Sequence, residues 1–272
     1  MKGRLFVVAT PIGNLKDITF RAVETLKSVS VIVAEDTRVS QKLLNHLGIE
    51  KKIISNFKEN EHKRVSEIID ILKSGEDVAL LSDAGTPAIS DPGTLLVNKA
   101  REKGFEIFPI AGPSSLTTAL SVCGFESTPF VFYGFFPRKE REKERVIGEI
   151  NTFPYTVVFF ESPFRIKRTL QFLYENIGER DIFVAREMTK KFESYLLNPK
   201  VDDLVEKGEF VIVLSPPKLK GKKEFDKRKM ESYFEELLKE GYSKKEAIKI
   251  ISHKFKISKN LLYNDLIVRK GG

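Results

Sequence analysis

Short runs of β-branched and aromatic residues punctuate the chain from end to end. They are Leu5–Ala9, Val29–Ala34, Ile53–Ser55, Val78–Leu81, Phe105–Ile110, Phe130–Tyr133, Thr156–Phe160, Ile182–Ala185 and Phe210–Leu214. Runs of this length bounded by turn residues predict strands rather than helices. Between most of them the apolar positions change to three- and four-residue spacing, as at Val65, Ile68, Ile69 and Leu72, the spacing of one helix face. Strand–helix alternation over the first 110 residues predicts an open parallel α/β sheet. Asp91-Pro92 predicts an N-cap with proline at the first helical position, and Gly104 the close of that helix. From residue 129 onward the strands lie closer together in sequence. There Phe192–Leu197 and Phe210–Leu214 predict a hairpin, and with it a second α/β domain built on a mixed sheet.

Periodicity stops at Pro216-Pro217 and the Lys218–Lys223 stretch, which predicts a linker. Three helices are expected beyond it, near 226–240, 244–254 and 259–268. Ser243-Lys-Lys-Glu246 has the form of a capping box, and Ser258 suits the cap of the last helix. The last two, joined by a turn near Lys256, have the look of a helix-turn-helix, although a plain three-helix module has the same pattern. The expected organisation is therefore 1–113 as an α/β cofactor-binding domain, 114–216 as a second α/β domain completing its cleft, and 217–272 as a basic linker and helical module.

Charge separates these parts. Residues 1–216 hold 30 Lys/Arg against 30 Asp/Glu, whereas residues 217–272 hold 16 against 8, so the net +8 resides in the last segment. A neutral body with a basic end suggests that the end meets a polyanion, with a solvated Lys/Glu-rich surface an equal alternative on charge alone. The charge asymmetry beside the helix-turn-helix pattern favours nucleic acid over a plain packing module. The single cysteine, Cys123, excludes an internal disulfide, and with three histidines in all no metal centre is expected. The first apolar run is too short for a signal-peptide core and no run approaches a membrane span, so a cytoplasmic location is expected.

Chemistry is expected where the strands end. In open α/β sheets ligands bind beyond the carboxyl ends of the strands, close to helix N-termini. Those ends carry Thr10-Pro11-Ile12-Gly13-Asn14, Ser82-Asp83-Ala84-Gly85-Thr86-Pro87, Ala111-Gly112-Pro113-Ser114-Ser115 and Glu161-Ser162-Pro163. Glycine and proline there fix tight turns and let a ligand approach the backbone. No G-x-G-x-x-G follows a strand, and neither a P-loop nor a G-x-S-x-G is present, which disfavours dinucleotide, NTPase and serine-hydrolase chemistry.

These loops carry a family resemblance. Val8-Ala-Thr-Pro-Ile-Gly-Asn-Leu15, Asp17-Ile-Thr19 and Ala34-Glu-Asp-Thr-Arg38 resemble the ribosomal RNA small subunit methyltransferase I group of the tetrapyrrole methylase superfamily. So do Leu81-Ser-Asp-Ala-Gly-Thr-Pro-Ala-Ile-Ser-Asp-Pro-Gly93, Gly134-Phe-Phe-Pro-Arg-Lys139, Phe160-Glu-Ser-Pro-Phe-Arg165 and Ala185-Arg-Glu-Met-Thr-Lys190. The resemblance spans the chain and departs at Ala111, where proline is expected. It implies two α/β domains of tetrapyrrole methylase type with a helix-turn-helix-like all-α module at the end, assembled as a homodimer. It implies S-adenosylmethionine folded in the cleft, S-adenosylhomocysteine as its product, and 2′-O-methylation of a cytidine in the decoding centre of 16S rRNA within the small ribosomal subunit. Carried over position by position, the cofactor contacts are Pro11, Asp83, Gly85, Pro87, Ser114, Ser115, Phe160, Ala185 and Arg186.

A ribose hydroxyl is a poor nucleophile until its proton is drawn away, which calls for a base or a nearby cation. Glu35, Asp36 and Arg38 at the cleft rim are the first candidates, Glu187 and Lys190 the second. The competing reading of each is an ion pair that holds a loop. Two other functions share the fold: a small-molecule methylase acting on a tetrapyrrole, and a ribosome-binding factor without catalysis. The Arg138–Arg145 run of mixed charge reads as a solvated helix or a loop over the cleft rather than as a phosphate site. The 21 phenylalanines fall mostly at strand positions and read as core.

Overall fold

The computed structural model describes residues 2–218, 227–255 and Leu262. It divides into two compact units, Met1–Pro217 and Lys218–Gly272.

The first unit holds two five-stranded sheets. In the first, β1 (Leu5–Val8), β2 (Val31–Ala34), β3 (Lys52–Ser55), β4 (Val78–Leu80) and β5 (Ile107–Ile110) run parallel in the order β3-β2-β4-β1-β5. Helices α1 (Phe20–Ser28) and α2 (Thr37–His46) pack Ala22, Leu26 and Leu44 against Val8, Ile32 and Ala79 on one face. Helices α3 (Glu61–Lys73) and α4 (Thr94–Glu102) pack Val65, Ile68, Leu96 and Ala100 against Leu5, Val33 and Leu80 on the other. Burial on both faces is why the inner strands β2, β4 and β1 read as continuous apolar runs.

The second sheet is mixed. Strands β6 (Phe130–Phe135), β7 (Thr156–Glu161), β8 (Ile182–Arg186), β9 (Ser194–Leu197) and β10 (Phe210–Leu214) take the order β6-β7-β10-β8-β9, with only β6 and β7 parallel. Helix α5 (Ser115–Val122) covers one face, where Ala119 meets Val158, Val211 and Val213. Helices α6 (Glu140–Thr152) and α7 (Ile166–Asn176) cover the other through Val146, Ile150, Leu170 and Leu173.

Two local expectations are corrected. The hairpin joins β8 to β9, with Phe183 opposite Leu197 and Arg186 opposite Ser194, and β10 lies between β7 and β8. Burial explains the difference. Every residue of Phe210–Leu214 is buried, which requires a central position, whereas Ser194–Leu197 alternates toward solvent and suits an edge. Helix α4 begins after Gly93 rather than at Asp91-Pro92. A β-carbon at Gly93 would sit 2.7 Å from Leu80 Cδ2, and its φ of +132° is one that side chains avoid, so glycine makes the turn. Gly104 does follow the end of α4, at φ +70°.

The charged run opens α6, where Lys143–Glu140 and Arg145–Glu149 pair along an exposed face. In the second unit α8 (Lys227–Lys239) and α9 (Lys244–Phe255) share a core containing Phe234, Leu237, Ala247, Ile248, Ile251 and Leu262. The capping box is formed, with Ser243 N donating to Glu246 Oε2 at 2.9 Å. The turn near Lys256, Ser258 and most of the expected 259–268 helix lie outside the described residues. Among the described residues no helix is long and apolar enough to cross a membrane.

Candidate active site

Three loops leave the carboxyl ends of the parallel sheet and are stitched to one another. Thr10 and Gly85 exchange two backbone hydrogen bonds of 2.9 and 3.1 Å, joining the loop after β1 to the long loop after β4. Thr86 Oγ1 donates to the Pro113 carbonyl at 3.1 Å, joining that loop to the one after β5. Gly85 has φ +81°, and a β-carbon there would crowd Ile12 Cγ2 at 3.2 Å. The Asp83 carboxylate accepts from the Asp36 amide at 3.0 Å, bringing the loop after β2 into the same cluster.

The second sheet supplies the opposite wall. Gly13 packs against its loop 187–190, with Met188 O and Lys190 Cγ at 2.8 and 2.5 Å from where a β-carbon would stand. That loop holds Glu187 and Thr189 at positive φ of 52° and 65°, a strain sustained by its hydrogen bonds. Glu187 Oε1 accepts from Lys190 Nζ at 2.8 Å and from Glu209 N at 3.0 Å, and Lys190 Nζ also reaches Glu209 Oε2 at 3.0 Å. Beneath the end of β7, the wholly buried Glu161 carboxylate accepts from Thr169 Oγ1 at 2.6 Å and pairs with Arg165 at 2.5 Å.

Between the walls lies a cleft of about 430 Å³, within the usual range for small-molecule sites. Ile12, Glu35, Asp83, Ala84, Ser90, Asp91 and Ser115 line it from the first sheet, and Phe135, Phe160, Glu161, Met188, Glu209 and Phe210 are among its lining from the second. Burial, reinforced by Asp83, Asp91 and Asp36, pushes the Glu35 carboxyl up to about 7. Burial raises Asp83 and Asp91 as well. Asp36 is the opposite case: hydrogen bonds from the Arg38 side chain and backbone hold it down at about 2. Burial also pushes against the charge on Glu187, but hydrogen bonds from Lys190 and the Glu209 backbone prevail and lower it.

The residues singled out in the sequence fall in three places. Glu35, Asp83, Ser115 and Phe160 line the cleft. Asp36 and Arg38 line a neighbouring hollow of about 440 Å³, paired to each other at 2.6 Å. The others stand behind the lining. Pro11 follows the bridging Thr10, Pro87 is buried within the long loop, and Ser114 is the N-cap of α5. Ala185 is core, and the Arg186 guanidinium ties down the Lys207 and Phe192 carbonyls. Glu187 and Lys190 belong to the ion-paired loop. Asp91, Phe135, Met188 and Glu209 were not singled out. Only Asp91 carried a usable signal, a second aspartate on the same specific loop, and there it reads as a helix cap.

Residues 4–205 match the family of tetrapyrrole (corrin/porphyrin) methylases. The chain belongs to the tetrapyrrole methylase family. A ribosomal RNA small subunit methyltransferase I of Thermotoga maritima is 44% identical over 220 residues, which are 78% of this chain and 98% of that protein. The protein of the same name from Halalkalibacterium halodurans is 38% identical over 272 residues, covering 97% of this chain and 94% of its own. In fold the chain resembles a uroporphyrin-III-C-methyltransferase from Thermus thermophilus, with TM-score 0.55 and 17% identity over 79% of this chain and 95% of that one. This member of the methylase family is a methyltransferase, and its cofactor is S-adenosylmethionine. The cleft suits that group. It has the volume for a nucleoside with an amino-acid arm, apolar and aromatic surface at Ile12, Phe135 and Phe160, and carboxylates at Asp83 and Asp91 whose charge suits a cationic ligand. Among the described residues no cluster of His, Cys, Asp or Glu suits a metal ion.

Proposed function

We propose that this methylase transfers a methyl group to the ribose 2′-hydroxyl of a cytidine in the decoding centre of 16S rRNA, acting on the small ribosomal subunit in the cytoplasm as a homodimer. The names and near-complete coverage of the relatives support the RNA substrate. The observation that carries the chemistry is Glu35, a half-buried carboxyl with a pKa near 7 that lines both the cleft and the adjoining hollow.

S-adenosylmethionine, when bound, supplies an electrophilic methyl on a sulfonium. Asp83, Ser115 and Phe160 hold it against the stitched loops, with Pro11, Gly85, Pro87, Ser114, Ala185 and Arg186 shaping the backbone around it. Glu35 accepts the ribose proton: at a pKa near 7 it is largely ionised in slightly alkaline solution yet still basic enough to draw a proton. Asp36 is too acidic for that role. With Arg38 it fixes the start of α2 and orients the ribose at the rim. The Glu187–Lys190–Glu209 group keeps the second wall in place and acts on the reaction through position.

The test is methyl transfer from labelled S-adenosylmethionine to small ribosomal subunits lacking native modification, with nuclease mapping of the product. Label on a cytidine ribose is the expected result. Binding of the cofactor without transfer to RNA would point to a small-molecule substrate, and no binding at all to a factor without catalysis.

A further inference from the structure

The cleft does not end at Glu35. It shares Glu35 and Asp83 with the adjoining hollow, and that hollow shares Thr37 and Arg38 with a third of about 560 Å³. The third is lined by Thr37, Arg38, Gln41, Lys42 and Asn45 of α2, with Ile53 of β3. Those α2 positions form one helix face, while Ser40, Leu43 and Leu44 bury the other. The three hollows therefore adjoin one another in a row that leads from the reacting centre along α2.

Its chemistry changes along the way. The cleft end is acidic, with Glu35, Asp83 and Asp91, and repels a phosphodiester chain. Beyond the neutral Asp36–Arg38 pair, the α2 end has no acidic lining residue and presents Lys42 and two amides. Gln41 Nε2 donates to Asn45 Oδ1 at 2.8 Å, which fixes both amides and leaves each with unused hydrogen-bonding capacity. Phe57, 40% exposed, supplies an aromatic face to the middle hollow. From Thr37 to Asn45 the helix rises roughly 12 Å at about 1.5 Å per residue. That is the length of roughly three stacked nucleotides at about 3.4 Å each.

We propose that this groove seats the single-stranded RNA next to the methylated nucleotide. Lys42 meets its phosphate, Gln41 and Asn45 its base edges or hydroxyls, and Phe57 stacks on a base. The proposal rests on the RNA reading above. It assigns sequence-adjacent contacts to the neutral body of the enzyme, separate from the basic C-terminal unit.

The test uses the full chain and measures RNA affinity apart from methylation. For Lys42→Glu the expected result is weaker RNA binding, a salt dependence shallower by about one unit of log–log slope, and unchanged S-adenosylmethionine affinity by calorimetry. Lys42→Arg should restore binding. The chain has no tryptophan, so Phe57→Trp introduces the sole indole, and its fluorescence should be quenched by RNA but not by the cofactor. Wild-type protein that binds RNA while Lys42→Glu matches it in affinity and slope, with an unquenched Phe57→Trp, would overturn the groove assignment alone. Loss of cofactor affinity in Lys42→Glu would overturn it too, by making the groove part of the cofactor site. Wild-type protein that binds no RNA would sink both this proposal and the RNA reading.

Discussion

The two walls of the cleft both carry carboxylates, and they treat them in opposite ways. On the first-sheet wall Glu35, Asp83 and Asp91 form no ion pair among the described residues, and burial, with mutual repulsion, raises all three. On the second-sheet wall Glu161 is matched by Arg165 and Thr169, while Glu187 and Glu209 share Lys190. A carboxyl raised to about 7, as at Glu35, is poised to exchange a proton, whereas one lowered by hydrogen bonds from a lysine, as at Glu187, serves geometry. Chemistry and support are thus divided between the sheets. The division is the ground for proposing Glu35 as the base and Glu187 and Lys190 as positioning residues.

The sharpest way to break this contrast is at Glu35. Glu35→Gln should lower turnover by about 10²–10⁴, the usual worth of a general base, with cofactor affinity retained. In the parent enzyme the rate should climb with pH through about 7 as Glu35 ionises, and that limb should vanish in the variant. Stability moves the other way. The folded pKa lies above the ordinary 4.5, so the fold binds this proton more tightly than the unfolded chain. That contribution is fully present below pH 4.5 and is lost as pH rises through 7.

On the supporting wall, Glu161→Gln should act on stability first. It strands Arg165 beside a buried site, at a cost of roughly 3 kcal/mol, the lower end for a broken buried pair because Arg165 keeps some water. A thermal melt unchanged by this substitution would remove the pair from the support of the wall. Gly13→Ala should cost about 1–3 kcal/mol, because its new methyl meets backbone at Met188 as well as Lys190. It should also widen the cleft enough to weaken cofactor binding. Lys190→Met should be mildest, about 1 kcal/mol, since partial exposure screens the pairs it breaks. If it instead abolished turnover with an unaltered melting temperature, Lys190 would move to the reacting side of the comparison.

Much of this was legible in the sequence because it is written in local patterns. Two-sided burial turns the inner strands β2, β4 and β1 into apolar runs, and the loops at the strand ends announce themselves in glycine and proline. The failures share a cause, since each depends on partners distant in the chain. Nothing local in Phe210–Leu214 says that it inserts between β7 and β8, and only its freedom from polar residues hints at a central place. Asp91 followed by proline has every local mark of a helix cap, yet the glycine two residues on takes the turn and leaves the aspartate facing the cleft. Glu35 and Asp36 are neighbours of one chemical type. What separates their pKa values is Arg38 on one side and burial on the other, which only the folded chain supplies.

The paired hydrogen bonds between Thr10 and Gly85 give the floor of the cleft the bonding of a sheet without its length. Amide exchange should register this directly: the Thr10 and Gly85 protons should trade with solvent on the timescale of β1 and β4, while that of exposed Ala84 should trade fast. A floor that slow is already in shape when the cofactor arrives. Little of the free energy of binding is then consumed in ordering it, and more remains for holding the reacting groups in line.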